Sequence, residues 1–282
     1  MTVEDLFFSR LGPDFEITIV DVGAAEVGEK PSYESLVSSG FARLIGFEPD
    51  ETACATLNDK KEGKRVYYPY FVGDGRKATF YETVWPPTGS LYPPNTALVE
   101  KFQNLSEVMI PKAEHQVETV RLDDLQEIPR AEFIKLDVQG AELRVLENAV
   151  SLLRSTLVVQ VEVEFVELYK GQPLFADVDC FLRSQGFQFH CFANGLAGRA
   201  FKPMVVGDDI NRPLRQVLWA DAIYVRDWME LDALSNDQLL AYALLSCLVL
   251  RSPDLSHQVL GHYDLVNGTR EAETFMAFLQ RR

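Results

Sequence analysis

The sequence predicts an α/β fold built on a doubly wound, mostly parallel sheet. Two observations carry that prediction. Short β-branched runs alternate with helical patterns from residue 17 to residue 186, and such alternation gives parallel strands with helices on both faces. Two of the strands end in a carboxylate and turn at a glycine: Asp21-Val22-Gly23 and Asp137-Val138-Gln139-Gly140. Ligands of open α/β sheets sit outside the carboxyl ends of the strands, so these acids stand where chemistry occurs.

The elements follow in order. Residues 17–22 form a strand that stops at Gly23. Pro31 opens a short helix with Tyr33, Leu36 and Val37 on one face, closed by Gly40. Residues 42–47 form a second strand ending at Glu48, and a helix follows from Glu51 to about Lys61. Residues 65–72 read as a third strand, punctuated by Asp74-Gly75, and residues 78–84 return from that turn. Residues 85–116 are rich in proline and glycine and predict a long functional loop; the embedded Trp85, Leu91 and Tyr92 argue against disorder. Strands resume at 117–122 and 131–136. A helix starting at Ala141 presents Leu143, Leu146, Val150 and Leu153 on one face. Residues 156–165 are a β-branched strand with Glu162 and Glu164 interleaved. A helix around Phe175, Val178, Phe181 and Leu182 is capped by Gly186. Residues 187–192 and 218–225 are late strands, expected as an antiparallel, hairpin-like edge, with a loop over 194–215 between them. Residues 232–251 and 270–280 are helical. The reading is one domain over residues 1–227 and a C-terminal helical extension over 228–282.

Composition narrows the function. The 282 residues are 47% hydrophobic, enough for a true core, and the formal net charge is −15. That charge repels phosphate backbones and anionic membranes, so no nucleic-acid partner is expected. Cys54, Cys180, Cys191 and Cys247 form no C-x-x-C pair, and no H-E-x-x-H pattern exists. Scattered cysteines and an acidic, signal-free start predict a reduced, cytoplasmic setting. The longest apolar stretch, residues 239–250, is twelve residues long; a bilayer needs about 20, so a buried helix and no membrane span are expected.

The strand tips hold the candidate chemistry. Gly23 lets the backbone turn sharply beside a ligand. Ala25 stands in the place of the second glycine of a G-x-G-x-x-G fingerprint, which suits a pyrophosphate poorly; a plain strand-to-loop turn is the other reading. Glu48 lies twenty-seven residues after Asp21 and can accept both hydroxyls of a ribose, or stand as a solvated carboxylate. Asp74 can accept from an adenine amino group and can also be a turn residue. Asp137 faces either a cofactor ammonium or the acceptor. Glu142 opens a helix, where negative charge is favourable. Lys135 shares the side of Asp137 and suits an ion pair. Glu162 and Glu164 share one face of a central strand, a costly place for carboxylates without a partner or ligand. Oxygen ligands for a hard cation are conceivable there, but no spacing compels a metal and none is assigned.

These residues resemble a known family. Ile19-Val20-Asp21-Val22-Gly23-Ala24, Gly46-Phe47-Glu48-Pro49, Arg121-Leu122-Asp123-Asp124-Leu125 and above all the block from Phe133 to Ala149 are similar to the FkbM-type branch of the class I methyltransferases. Val161-Glu162-Val163-Glu164-Phe165, Gln172-Pro173-Leu174-Phe175 and the stretch from Leu182 to Phe187 add to the likeness, which spans roughly residues 15 to 227. The resemblance implies a Rossmann-like, seven-stranded sheet, S-adenosylmethionine as methyl donor, and O-methylation of a hydroxyl on a sugar, glycan or natural product. It places Asp21, Gly23 and Ala24 on the methionine and ribose side, Glu48 on the ribose hydroxyls and Asp137 at the transfer site. Ser90, Tyr92 and Asn95, in the family's variable segment, become substrate-side candidates. Asp137, Glu164 and Glu162 are the candidate bases. The run Ala24-Ala25-Glu26-Val27-Gly28 departs from the asparagine-and-glycine run usual after Gly23, and residues 228–282 have no counterpart. Two other readings stay open: a nicotinamide-dependent oxidoreductase, which Glu48 suits, and a non-catalytic Rossmann-like binding domain. The sequence does not name the acceptor or the oligomeric state.

Overall fold

The computed structural model describes residues 11, 15–24, 30–60 and 63–280; Ala25, Glu26, Val27 and Gly28 lie outside them. The main sheet has seven strands: β1 (Ile17–Val22), β2 (Ala42–Phe47), β3 (Lys64–Tyr68), β7 (Phe133–Leu136), β8 (Val158–Glu164), β9 (Phe187–Phe192) and β10 (Trp219–Arg226). Their order across the sheet is β3-β2-β1-β7-β8-β10-β9. The first five run parallel, and β10 is antiparallel to both β8 and β9. The late strands are therefore not simply appended in sequence order: β10 lies inside and β9 forms the edge. The strand order reverses between β1 and β7, and there the strand tips open a crevice.

A second, three-stranded sheet sits between β3 and β7 in sequence: β4 (Phe71–Val72), β5 (Lys77–Thr83) and β6 (Pro111–Val120), ordered β4-β6-β5. Two expectations change here. The third strand expected over residues 65–72 is split, because Pro69 has no N–H to give the ladder, and the chain passes from one sheet to the other. The long loop expected over residues 85–116 instead contains a 3-10 turn at Pro86–Thr88, short helices at Thr96–Val99 and Leu105–Val108, and the first half of β6. That half, Pro-Lys-Ala-Glu-His-Gln, is mostly exposed, so it shows none of the apolar alternation that marks a half-buried strand.

Side-chain alternation assigns the faces. Ile17 and Ile19 of β1 and Ile223 and Val225 of β10 point into one core; Val20, Val22, Ala222 and Tyr224 point into the other. The second core is covered by helices Glu142–Glu147, Val150–Leu153 and Phe175–Ser184. The helix expected from Ala141 onward is broken in two after Glu147. The Asp123 carboxylate caps the second piece, accepting from Ser151 N at 3.0 Å and Leu152 N at 2.9 Å.

The first core is covered by helices Glu34–Ser38 and Glu51–Asp59 and by three C-terminal helices, Asn236–Leu248, Pro253–Asn267 and Glu271–Leu279. Every residue from Leu239 to Ser246 is buried, the mark of a helix sandwiched on all sides. Ser235 and Gln238 form its capping box. Pro253 opens the next helix, and Gly268 closes it at φ 67°. Tyr242 donates to Arg226 O at 2.6 Å, fastening the first C-terminal helix to the end of β10. Among the described residues no helix is long and apolar enough to cross a membrane.

Since one core joins the sheet to the C-terminal helices, damage there should weaken the whole fold. Leu244 is fully buried, and Leu244→Ala should cost about 2–5 kcal/mol. Urea unfolding followed by circular dichroism and by tryptophan fluorescence should show one shared midpoint, lowered in the variant. Two separated transitions, with only one shifted, would contradict this.

Candidate active site

The tips of β1, β2, β7 and β8 border one cleft of about 1610 Å³. Asp21, Gly23, Glu48, Asp137, Glu162 and Glu164 all line it, together with Ala24 and Ser90. Other expected residues stand elsewhere. Asp74 is absent from the lining; its Oδ1 accepts from Arg76 N at 3.1 Å and from the Thr119 hydroxyl at 3.3 Å, the work of a turn residue. Tyr92 is covered by the Arg144 guanidinium, 4.7 Å from its ring centroid. Asn95 donates to Glu167 O at 2.8 Å. Neither Tyr92 nor Asn95 lines the cleft.

Gly23 is required by space as well as by angle. Its φ is +85°, and a Cβ there would stand 2.0 Å from the carbonyl oxygen of Asp137. Gly23 N and Ala24 N both donate to Phe47 O, at 3.1 and 3.0 Å, and Asp137 N donates to Val22 O at 3.0 Å. The turn after β1 is thereby stitched to β2 on one side and to the tip of β7 on the other.

Glu48 is buried at the tip of β2. Its Oε1 accepts from Asp50 N at 2.9 Å, and no described residue donates to Oε2. Burial raises its pKa, with the Asp50 N–H opposing. Asp21 is already engaged: its Oδ2 accepts from the Tyr33 hydroxyl, and its Oδ1 stands 3.4 Å from Lys135 Nζ. Lys135 also lies 3.8 Å from Asp137 Oδ2. Burial pushes the Lys135 ammonium pKa down, but Asp21 and Asp137 outweigh it and hold the pKa above its ordinary value.

The turn after Asp137 organises the acceptor side. Gln139 sits at φ +56° and Gly140 at φ +94°. A left-handed glutamine is a conformation that the surroundings must enforce, and here they do. Glu142 Oε1 accepts from Val138 N at 2.8 Å and Gly140 N at 3.2 Å, and Ser90 Oγ donates to Gln139 O at 2.6 Å. The Gln139 amide then donates to Asp137 Oδ1 at 2.8 Å and Glu162 Oε2 at 2.7 Å. Its own oxygen lies 3.0 Å from the Tyr169 hydroxyl. Gln139 and Tyr169 were not among the sequence candidates; the one available signal was a non-glycine residue in a strand-to-helix turn that demands positive φ.

Burial shapes the carboxyl groups. It pushes Glu162 and Glu164 well above the usual carboxylate range, reinforced by the neighbouring acids Asp137, Glu142 and, for Glu162, also Asp221. Burial and the neighbouring acids thus favour the protonated form of both. Asp221, opposite Glu162 in the β8–β10 ladder, is also raised by burial. Asp137 is the more open acid, with 38% of its side chain exposed. Among the described residues no group of histidines, cysteines and acids is arranged to hold a metal ion.

Can this cleft take an adenosyl amino acid? Glu48 offers a free oxygen at the tip of β2, where ribose hydroxyls need one. Gly23 and Ala24 offer side-chain-poor backbone beside it, and Tyr70 and Phe71 give the same cleft aromatic surface. The residues fit.

Glu142 gives a pH test. Burial pushes its carboxyl up to about 7, against about 4.3 in an unfolded chain. Between those values the native state binds the extra proton, so the contribution of this group to stability falls as pH rises through the window. Glu142→Gln keeps an oxygen for Val138 N and Gly140 N without the charge. Its melting temperature should fall less than that of the wild type between about pH 4 and about pH 7.5, either side of the window. Parallel curves would contradict the assignment.

Comparison with known proteins adds the family. No curated protein matches the chain. A solved structure of a LepI variant in complex with SAH and substrate analogue aligns with a TM-score of 0.35 and 9% identity, over 80% of this chain and 47% of that one; this chain spans less than half the length of that protein. The methyltransferase FkbM domain model matches residues 21–189, from the acid at the tip of β1 into β9. The chain belongs to the FkbM methyltransferase domain family, whose methyl donor is S-adenosylmethionine.

Proposed function

We propose that the protein transfers the methyl group of S-adenosylmethionine to a hydroxyl of a small molecule or glycan. The observation that carries this reading is Asp137: a partly open carboxylate at the tip of β7, tied by Gln139 to the buried Glu162 and by Lys135 to Asp21, inside the cleft that also holds Glu48. Family membership favours methyl transfer over the nicotinamide reading, and the carboxyl cluster favours an enzyme over a bare binding domain.

When bound, the donor supplies an electrophilic methyl carbon, so the protein has mainly to align the acceptor and exclude water. In this reading Glu48 Oε2 takes the ribose hydroxyls, and the Gly23–Ala24 backbone carries the methionine and ribose side. Asp21 acts through Lys135 and Tyr33 and is a positioning residue. Asp137 Oδ2 accepts the hydroxyl proton as attack proceeds. Glu162 and Glu164, whose protonated forms burial favours, orient the acceptor through hydrogen bonds. Ser90 holds the Gln139 turn in place through its bond to Gln139 O. Asp74, Tyr92 and Asn95, being outside the cleft, take no part. Residues 1–227 supply the chemistry, and the three helices between Asn236 and Leu279 close a face of the sheet.

Calorimetry with S-adenosylmethionine and S-adenosylhomocysteine is the first test, and both should bind. Incubation with methyl-labelled donor and a panel of hydroxylated acceptors should then yield an alkali-stable methyl ether. Asp137→Asn should keep S-adenosylhomocysteine affinity within about threefold while lowering kcat by about 10²–10⁴. Absence of binding at millimolar concentration, or an Asn variant as fast as the wild type, would overturn the proposal.

A further inference from the structure

Burying a cation is costly unless a partner of opposite charge or a full set of hydrogen bonds compensates. Two cations lining the cleft are compensated: Lys135 by Asp21 and Asp137, and Arg65 by Glu34 at 2.5 Å. Arg199, on the far side, is different. It lines the same cleft and is half-buried, and it forms no ion pair with a described residue. Its Nε is buried with no hydrogen-bond partner among the described residues, and its Nη1 reaches only the neighbouring Gly198 O at 2.8 Å. Burial pushes its pKa down, and the nearby Asp209 carboxylate only partly offsets this.

The guanidinium is also held rigidly. It lies over the Trp219 ring, 5.0 Å from the centroid. On one side, Leu218 N donates to Ala197 O at 2.9 Å, and Gly198 is pressed so closely to the chain that a Cβ would stand 2.3 Å from Gln216 O. On the other side, Ala200 is buried and its carbonyl accepts from Gln103 N at 2.9 Å. Trp219 is the register partner of Glu164. Arg199 itself lies in the loop between β9 and β10; the tryptophan beneath it sits on β10, with its Cα about 5 Å from that of Glu164 across the ladder. Burial favours the protonated forms of Glu162 and Glu164, which lessens their repulsion of an anion here.

We infer that Arg199, backed by Trp219, is an anion-recognising subsite at the acceptor end of the cleft, and that the methyl acceptor carries a carboxylate or phosphate near the hydroxyl that it presents. The planar guanidinium fork suits either group. This assignment of acceptor class rests on the methyl-transfer reading; the anion subsite itself does not.

The test uses the full chain and three probes, glucuronate, glucose 6-phosphate and glucose, at constant ionic strength. Intrinsic fluorescence reports on the cleft tryptophans Trp219 and Trp85, and calorimetry with S-adenosylhomocysteine is run in parallel. At least one of the two anions should give a saturable fluorescence change, and glucose should bind far more weakly; whichever anion saturates first names the group. Arg199→Met should weaken that binding by at least about tenfold, and Arg199→Lys less so, since it keeps the charge and loses the fork. S-adenosylhomocysteine should bind both variants as it binds the wild type, which shows that they are folded. An Arg199→Met titration that matches the wild type, glucose binding as tightly as the anions, or no saturation by either anion at tens of millimolar would overturn the inference. Failure of S-adenosylhomocysteine to bind the wild type would instead strike the methyl-transfer reading and leave the anion titration to be judged separately.

Discussion

The site depends on one half-buried ammonium beside a buried acid. Lys135 lies on β7 between the acids at the tips of β1 and β7, 3.4 Å from Asp21 and 3.8 Å from Asp137. Two carboxylates this close, at the floor of a protein cleft, repel one another and resist ionisation unless a cation lies between them. With Lys135 in place, Asp21 can hold Tyr33, and Asp137 can remain the open acid at the centre of the site. The charge is thus arranged in layers: a compensated pair at the floor, carboxyls on β8 that burial disposes toward the neutral form, and Glu48 apart at β2.

The scaffold exists to hold those tips still. β1 and β7 are adjacent and parallel, with Asp21 opposite Lys135 in register. Gly23 then passes so close to the Asp137 carbonyl that no larger residue fits. Helices press on the sheet from both sides, and on one side the C-terminal helices provide much of that cover. The second sheet and the segment from residue 85 to residue 109 form the outer wall of the cleft, and Ser90 links that wall to the Gln139 turn.

Much of this was legible in the sequence. Asp21, Glu48 and Asp137 end strands of a parallel sheet, and parallel strands place their tips along one edge; convergence follows from the fold class. The apolar run over residues 239–250 was readable as a buried helix because it has no polar face. Other features had no local signal. Lys135 and Asp21 meet across a ladder, and strand order does not appear in periodicity. Gln139 gains its role from a backbone angle that Ser90 and Glu142 impose from outside. Asp74 has the side chain to bind an adenine, but Asp-Gly turn chemistry claims it first. Tyr92 and Asn95 lie in the right segment, yet the chain turns them toward Arg144 and Glu167. The first half of β6 is exposed, so hydrophobicity could not mark it.

Lys135 is therefore the counter-charge on which the cleft is built. Removing one partner from a buried ion pair costs about 3–5 kcal/mol, because the remaining charge is left uncompensated. The most direct measurement is the unfolding free energy of Lys135→Met against the wild type, at neutral pH and again at a pH low enough to protonate carboxylates. A loss of about that size at neutral pH, shrinking substantially on acidification, is the expected result. A loss below about 1 kcal/mol, or one of equal size at both pH values, would contradict it.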